Sequence, residues 1–179
     1  MALTSTMYTF DVALSHVDRG VYESLSIKAA CHPSESEEYL ATRVLAYCLE
    51  YTEGIAFSKG LSEPDEPAIS VRDLTGARKA WIEVGAPDAA RLHKASKATP
   101  RVAVYTHKEP RILLRGYEGE RIHRADALEL YAVDRELIAG FVQRLDRRVA
   151  FSMTVTDGEI FLDFGGEHVG GAVERLALA

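Results

Sequence analysis

The segment AISVRD-LTGA-R-KAWIEVG, residues 68–85, reads as a β-hairpin. Both arms are rich in strand formers, and Gly76 supplies the positive φ that a tight connection needs. With the turn near Thr75 and Gly76, facing residues have numbers that sum to about 151, so Glu83 lies opposite about Ala68 and Gly85 opposite about Glu66. Ile82 and Val84 point to one face, the expected core, and Trp81, Glu83 and Gly85 to the other. Asp65 and Glu66 precede the first arm, so three carboxylates are expected to converge at one end of the hairpin. A carboxylate inside the apolar AWIEVG strand needs a partner, because burying an unpaired charge is costly. Two kinds of partner are open. One is a hard divalent cation such as Mg²⁺ or Mn²⁺, which takes oxygen ligands; the other is a neighbouring base such as Arg72 or Lys79.

Outward from the hairpin, residues 3–13 and about 20–31 read as strands, joined by the polar SHVDRG turn. A helix follows, with Ser34 as N-cap and Glu37 completing a capping box. Leu40, Val44, Tyr47, Cys48 and Tyr51 fall on one stripe at helical spacing, with Glu38 near its edge. Beyond the hairpin, Pro87 and Asp88 open a short helix over about 87–98, in which Arg91, Lys94 and Lys97 form a basic stripe. RVAVYTH and ALELYAV are strand-like, a helix is expected from Asp134 to Leu145, and VAFSMTVT-DG-EIFLDF is a hairpin around an Asp-Gly turn. The glycine-rich tail is expected to be loop with at most one short strand. The order describes a single domain over 1–179, in the α/β (α+β) class with a mixed sheet covered by helices.

The chain has 179 residues and a formal net charge of −6, which argues against a protein that coats nucleic acid indiscriminately. The charge is unevenly placed. From Pro33 to Glu66 eight carboxylates face two bases, whereas from Asp88 to Arg111 six bases face two carboxylates. No apolar run of about eighteen residues is present, and the N-terminus lacks the features of a signal peptide, so a cytoplasmic protein is expected. Cys31 and Cys48 are read as free thiols. The six histidines show no zinc-ligand spacing, and GGEHVGG lacks the strand and helix that a phosphate loop requires. Trp81 is open to two readings, base stacking or packing.

Taken together, Pro64-Asp65, Glu83 eighteen residues later, a basic helix after it and Glu38 on the helix before resemble the core of PD-(D/E)XK nucleases. At closer range the MAL start, HPSE, GLSEPDEP, WIEVGAPD, HKA and DGEIFL resemble the YaeQ family of bacterial proteins. That resemblance implies a restriction-endonuclease-like αβββαβ core with extra N-terminal strands and a C-terminal β-hairpin. It implies Asp65 and Glu83 as catalytic metal ligands, Glu38 as an accessory acid and Glu66 as a possible substitute ligand. The motif lysine is missing, because Gly85 stands in its place, and Lys94 on the following helix is the candidate replacement.

The expected function is that of a nuclease-like protein, with possible Mg²⁺- or Mn²⁺-dependent phosphodiester hydrolysis of DNA or RNA. Lys94 would stabilise the transition state and Arg91 and Arg101 would contact flanking phosphates. The alternative is a nuclease fold that has lost turnover and acts as a nucleic-acid- or protein-binding partner. A monomer or weak dimer without membrane attachment is expected in either case.

Overall fold

The computed structural model describes residues 4–58 and 65–178. Pro64 and most of GLSEPDEP therefore lie outside the described residues, as does the MAL start. Strands β1 (Thr6–His16) and β2 (Val21–Cys31) form a hairpin whose turn ends on Gly20 at φ +67°. Helix α1 (Glu37–Leu49) is followed by β3 (Ile55–Phe57), β4 (Ile69–Arg72), β5 (Arg78–Val84), α2 (Ala89–Ala98) and β6 (Arg101–Thr106). Then come α3 (Pro110–Arg115), β7 (Glu129–Val133), α4 (Arg135–Val142), β8 (Arg148–Thr156), β9 (Glu159–Asp163) and β10 (His168–Leu176).

The strands make one mixed sheet in the order β2-β1-β8-β9-β10-β7-β6-β5-β4-β3. Helix α1 touches β2 at one end of that order and β3 at the other, as well as β5 and β6, so the sheet curls around it. This corrects the single-stripe reading of α1. Leu40, Ala41, Thr42, Arg43, Val44, Leu45, Ala46, Cys48 and Leu49 are all buried, because a helix enclosed by a curled sheet has no wide solvent face. Even Arg43 is enclosed; it donates to the Ala30 carbonyl at 2.5 Å and lies over the ring of Phe57. The cap is also shifted, since Ser36 accepts from Tyr39 N at 3.0 Å, while Ser34 stays in the preceding turn with His32.

The central hairpin has the expected register: Ile69 pairs with Ile82, Ser70 with Trp81 and Val71 with Ala80. The Asp-Gly hairpin is equally clear, with Asp157 at φ 52° and Gly158 at φ 75°, as a tight primed turn requires. The tail differs from expectation. Residues 168–176 form the strand β10, inserted between β9 and β7, which joins the two halves of the sheet. Its glycines reflect close packing rather than a loop, because a Cβ on Gly171 would come within 2.7 Å of Asp134 Cβ at the start of α4. The short elements β3 and α3 are further additions to the predicted order.

One core lies between α1 and the inner face of the sheet, with Phe10, Leu40, Ile82 and Phe141 fully enclosed. A second, smaller core lies on the outer face, where Trp81, Leu92, Val104, Leu113 and Leu130 pack under α2 and α3. Cys31 and Cys48 are free and buried, and burial pushes the Cys48 thiol up to about 12, which makes it unreactive. Among the described residues no helix is long and apolar enough to cross a membrane.

Candidate functional site

Alternation along β5 divides its side chains between the two cores. Ala80, Ile82 and Val84 face α1, and Trp81 faces the outer core. Glu83 shares the face of Trp81, and only 6% of the residue is exposed. Its Oε1 accepts from the indole Nε1 of Trp81 at 2.7 Å and meets Arg91 Nη2 at 2.9 Å. Burial pushes the Glu83 carboxyl above the ordinary glutamate range, against the downward pull of Arg91 and Trp81. The partner of this carboxylate is thus a base from the next helix. Arg72 and Lys79, the neighbouring bases first considered, serve the turn instead: Arg72 donates to the Gly76 carbonyl and Lys79 pairs with Asp73.

Helix α2 supplies that base for a local reason. Asp88 caps its start by accepting from Arg91 N at 2.8 Å, which fixes Arg91 in the first turn above β5. From there Arg91 Nη2 also donates to the Glu66 carbonyl at 2.6 Å, and the guanidinium lies 5.7 Å from the centre of the Trp81 ring. One turn further on, Lys94 Nζ donates to Asp65 Oδ1 at 2.5 Å. That bond holds the Asp65 carboxyl below the usual carboxylate range. Arg91 and Lys94 of the expected basic stripe therefore face the segment that carries Asp65 and Glu66, and two carboxylates and two bases gather near the C-terminal end of β5.

Other candidates are placed elsewhere. Glu38 is exposed in the first turn of α1, and its field reaches His107 at the end of β6. The Glu66 carboxylate acts on Arg78 across the hairpin, and it is the Glu66 backbone carbonyl that meets Arg91. Among the described residues no group of three or more His, Cys, Asp or Glu side chains is arranged to hold a metal. Trp81 is 4% exposed, so it packs and has no face to offer a base.

Arg101 is removed from this site by strand geometry. It pairs with Ala80, whereas the register partner of Glu83 is Val104. It also shares a face with Ala103 and Tyr105, opposite to the face of Val104 and Glu83. There it forms a bidentate pair with Glu50 (2.7 and 2.8 Å) and a second with Glu129 (2.6 and 3.0 Å), while Tyr105 and Tyr131 donate to the same carboxylates. Sequence reading missed this network. Its signal is the placement of Glu50, Arg101 and Glu129 at the ends of buried apolar runs, where a charge demands a partner.

The sequence model of the family described as "YaeQ protein" matches residues 1–172. The chain belongs to the YaeQ family. The "Uncharacterized protein YaeQ" of Escherichia coli strain K12 is 31% identical over 164 residues, spanning 90% of each chain. The protein of the same name from Salmonella typhi is 30% identical over the same length and share of each chain. Among solved structures, the YaeQ protein from Pseudomonas syringae superposes with a TM-score of 0.85 at 31% identity, covering 97% of this chain and 96% of the other. The YaeQ protein from Xanthomonas axonopodis pv. citri gives 0.85 at 28% identity, with 96% and 98% covered. The YaeQ fold thus extends along the whole described chain.

Proposed function

We propose that this chain is a nuclease-like protein of the PD-(D/E)XK type that acts on DNA or RNA phosphodiesters through Asp65, Glu83, Arg91 and Lys94. The element order α1-β3-β4-β5-α2-β6 supports a restriction-endonuclease-like αβββαβ core. The observation that carries the reading is Arg91 Nη2, which touches both Glu83 Oε1 and the Glu66 carbonyl and so links the Asp65 segment to the Glu83 strand. Carboxylate oxygens suit Mg²⁺ or Mn²⁺, and Asp65 and Glu83 would hold such an ion once their present cationic partners have moved away. When bound, the ion supplies activated water and offsets charge on the scissile phosphate. The chain's own contribution is positional. Glu83 is anchored by Trp81, Lys94 offers an exposed ammonium to phosphate oxygens, and Arg91 offers a planar guanidinium.

The second reading, a fold that binds but no longer cleaves, is favoured by the complete pairing of Oε1 of Glu83 and by the absence of a lysine at Gly85. One assay separates them. Labelled DNA and RNA oligonucleotides are incubated with Mg²⁺ or Mn²⁺ and wild-type protein, Asp65→Asn, Glu83→Gln or Lys94→Ala. The enzyme reading expects cleavage by wild type alone. Binding without cleavage supports the second reading, and neither binding nor cleavage contradicts both.

A further inference from the structure

We propose that the cavity at the end of the curled sheet, where α1 stops beside β6, β7 and β10, binds a small organic anion with an apolar body. The inference does not rest on the nuclease reading, because the cavity lies on the sheet face opposite to Glu83. Its volume is about 360 Å³, enough for a compact organic molecule. Leu49, Val155 and Val173 give it apolar walls, and Tyr105 and Tyr131 stack beside them with ring centres 4.8 Å apart.

The hydrogen bonds of the lining decide the sign of the ligand. The acceptors are engaged. Glu50 takes two bonds from Arg101 and one from Tyr105, and Asp18 is turned to the β8–β9 connection, where it accepts from Asp157 N at 2.8 Å and Gly158 N at 3.1 Å. The donors are in surplus. Arg19 uses only Nη1, on the Leu49 carbonyl at 2.9 Å, a bond that also offsets the negative end of α1. Arg175 lies over the Tyr131 ring, 5.4 Å from its centre. Among the described residues neither guanidinium is ion-paired with a carboxylate. His16, on the same cavity wall, is 6% exposed, and its Nδ1 is buried without a partner. Buried polar groups are nearly always paired, so this imidazole keeps hydrogen-bonding capacity for a ligand. A carboxylate or phosphate group, whose oxygens accept, matches two guanidinium groups and an imidazole N–H. Arg19 and Arg175 are exposed at the rim, so the anionic head meets them there and the apolar body turns inward to Val155 and Val173.

Heteronuclear NMR on the assigned full chain tests this. The amide signals of Val155, Gly158 and Val173 are followed while benzoate, phenyl phosphate, benzamide or benzylamine is added to millimolar concentration. Benzoate and phenyl phosphate are expected to shift these signals saturably, and the tighter of the two identifies the head group. Neutral benzamide and cationic benzylamine are expected to bind at least about tenfold more weakly, since charge-assisted bonds are lost. Arg19→Gln and Arg175→Gln should each weaken benzoate by about tenfold. The four wild-type titrations need no variant, so a misfolded variant does not decide the outcome. Binding of benzamide or benzylamine as tight as that of the anions overturns the proposal, as does unchanged benzoate affinity in both variants. No saturable shift at these three residues with either anion overturns it as well, and all of these results leave the nuclease reading untouched.

Discussion

Gly85 lies against the ring of Tyr39 with φ at +92°, and a Cβ there would stand 3.8 Å from two ring carbons. Space for a side chain exists; the backbone is what disfavours one. The chain leaves β5 here toward α2, with Gly85 N donating to the Tyr105 carbonyl at 2.9 Å, in a conformation that costs a non-glycine residue about 1 kcal/mol or more. The position at which the proposed nuclease reading would place a lysine is thus a glycine position by geometry. Gly85→Lys should lower stability in urea denaturation by about 1–2 kcal/mol, and Gly85→Ala should lose a similar amount. Unchanged stability together with increased cleavage in Gly85→Lys would contradict this account.

Lys94 and Asp65 form an exposed pair, with side chains 70% and 72% exposed, so their contact contributes little to the fold. Lys94→Ala should change unfolding free energy by less than about 1 kcal/mol. Nucleic-acid affinity should nevertheless fall several-fold, and the dependence of binding on salt should become shallower by about one counterion. A binding titration at several salt concentrations checks both effects.

The Glu50–Arg101 pair should behave in the opposite way. Glu50 is 8% exposed and takes two guanidinium bonds and one from Tyr105. Glu50→Ala leaves the buried Tyr105 hydroxyl without its acceptor and Arg101 with Glu129 alone, and should cost about 1–3 kcal/mol. Because Arg101 lies on the other sheet face from Glu83, protein that remains folded should keep its nucleic-acid affinity.

Mild acid should weaken the fold through its buried histidines. His16 is 6% exposed, and burial, reinforced by Arg19, holds its pKa below the usual histidine value. His107 is lowered in the same direction, first by burial and then by Lys108. Well above about pH 6.5, the ordinary histidine value, these histidines are neutral in both folded and unfolded chains and add no slope. As pH falls through about 6.5 the unfolded chain takes up protons that the folded chain resists, so stability is lost until the folded pKa is passed. For His16 the slope is at most about 1.4 kcal/mol per pH unit. Denaturation curves between pH 8 and 5 should show the loss (roughly the window in which histidine titrates), and His16→Gln should flatten it.

Much of the central hairpin was readable from local chemistry. Alternation in AWIEV and the Gly76 turn specify the register that pairs Ile69 with Ile82, and they send Glu83 to the face opposite Ile82. The spacing of α2 also sent Lys94 back toward the Glu83 end of β5, whereas its observed partner is Asp65. What it could not specify depends on packing between distant elements. Arg91 is the partner of Glu83 only because α2 folds back over β5, and Arg101 turns to Glu50 and Glu129 only because α1 ends beside β6 and β7. Strand β10 was hidden by Gly170 and Gly171, residues of low strand propensity; a Cβ on Gly171 has no room beside α4. Enclosure of α1 on nearly every side follows from the curl of the sheet, which no helical periodicity encodes.

The central claim, that Asp65 and Glu83 form a nuclease-type carboxylate pair, is tested most directly by anomalous diffraction at the manganese edge. Crystals would be grown with Mn²⁺ and a phosphorothioate oligonucleotide. The account predicts a peak between the Asp65 and Glu83 carboxylates, with Arg91 turned to a phosphate. A nucleic acid bound with no peak at that position, and with Arg91 still on Glu83, would contradict it.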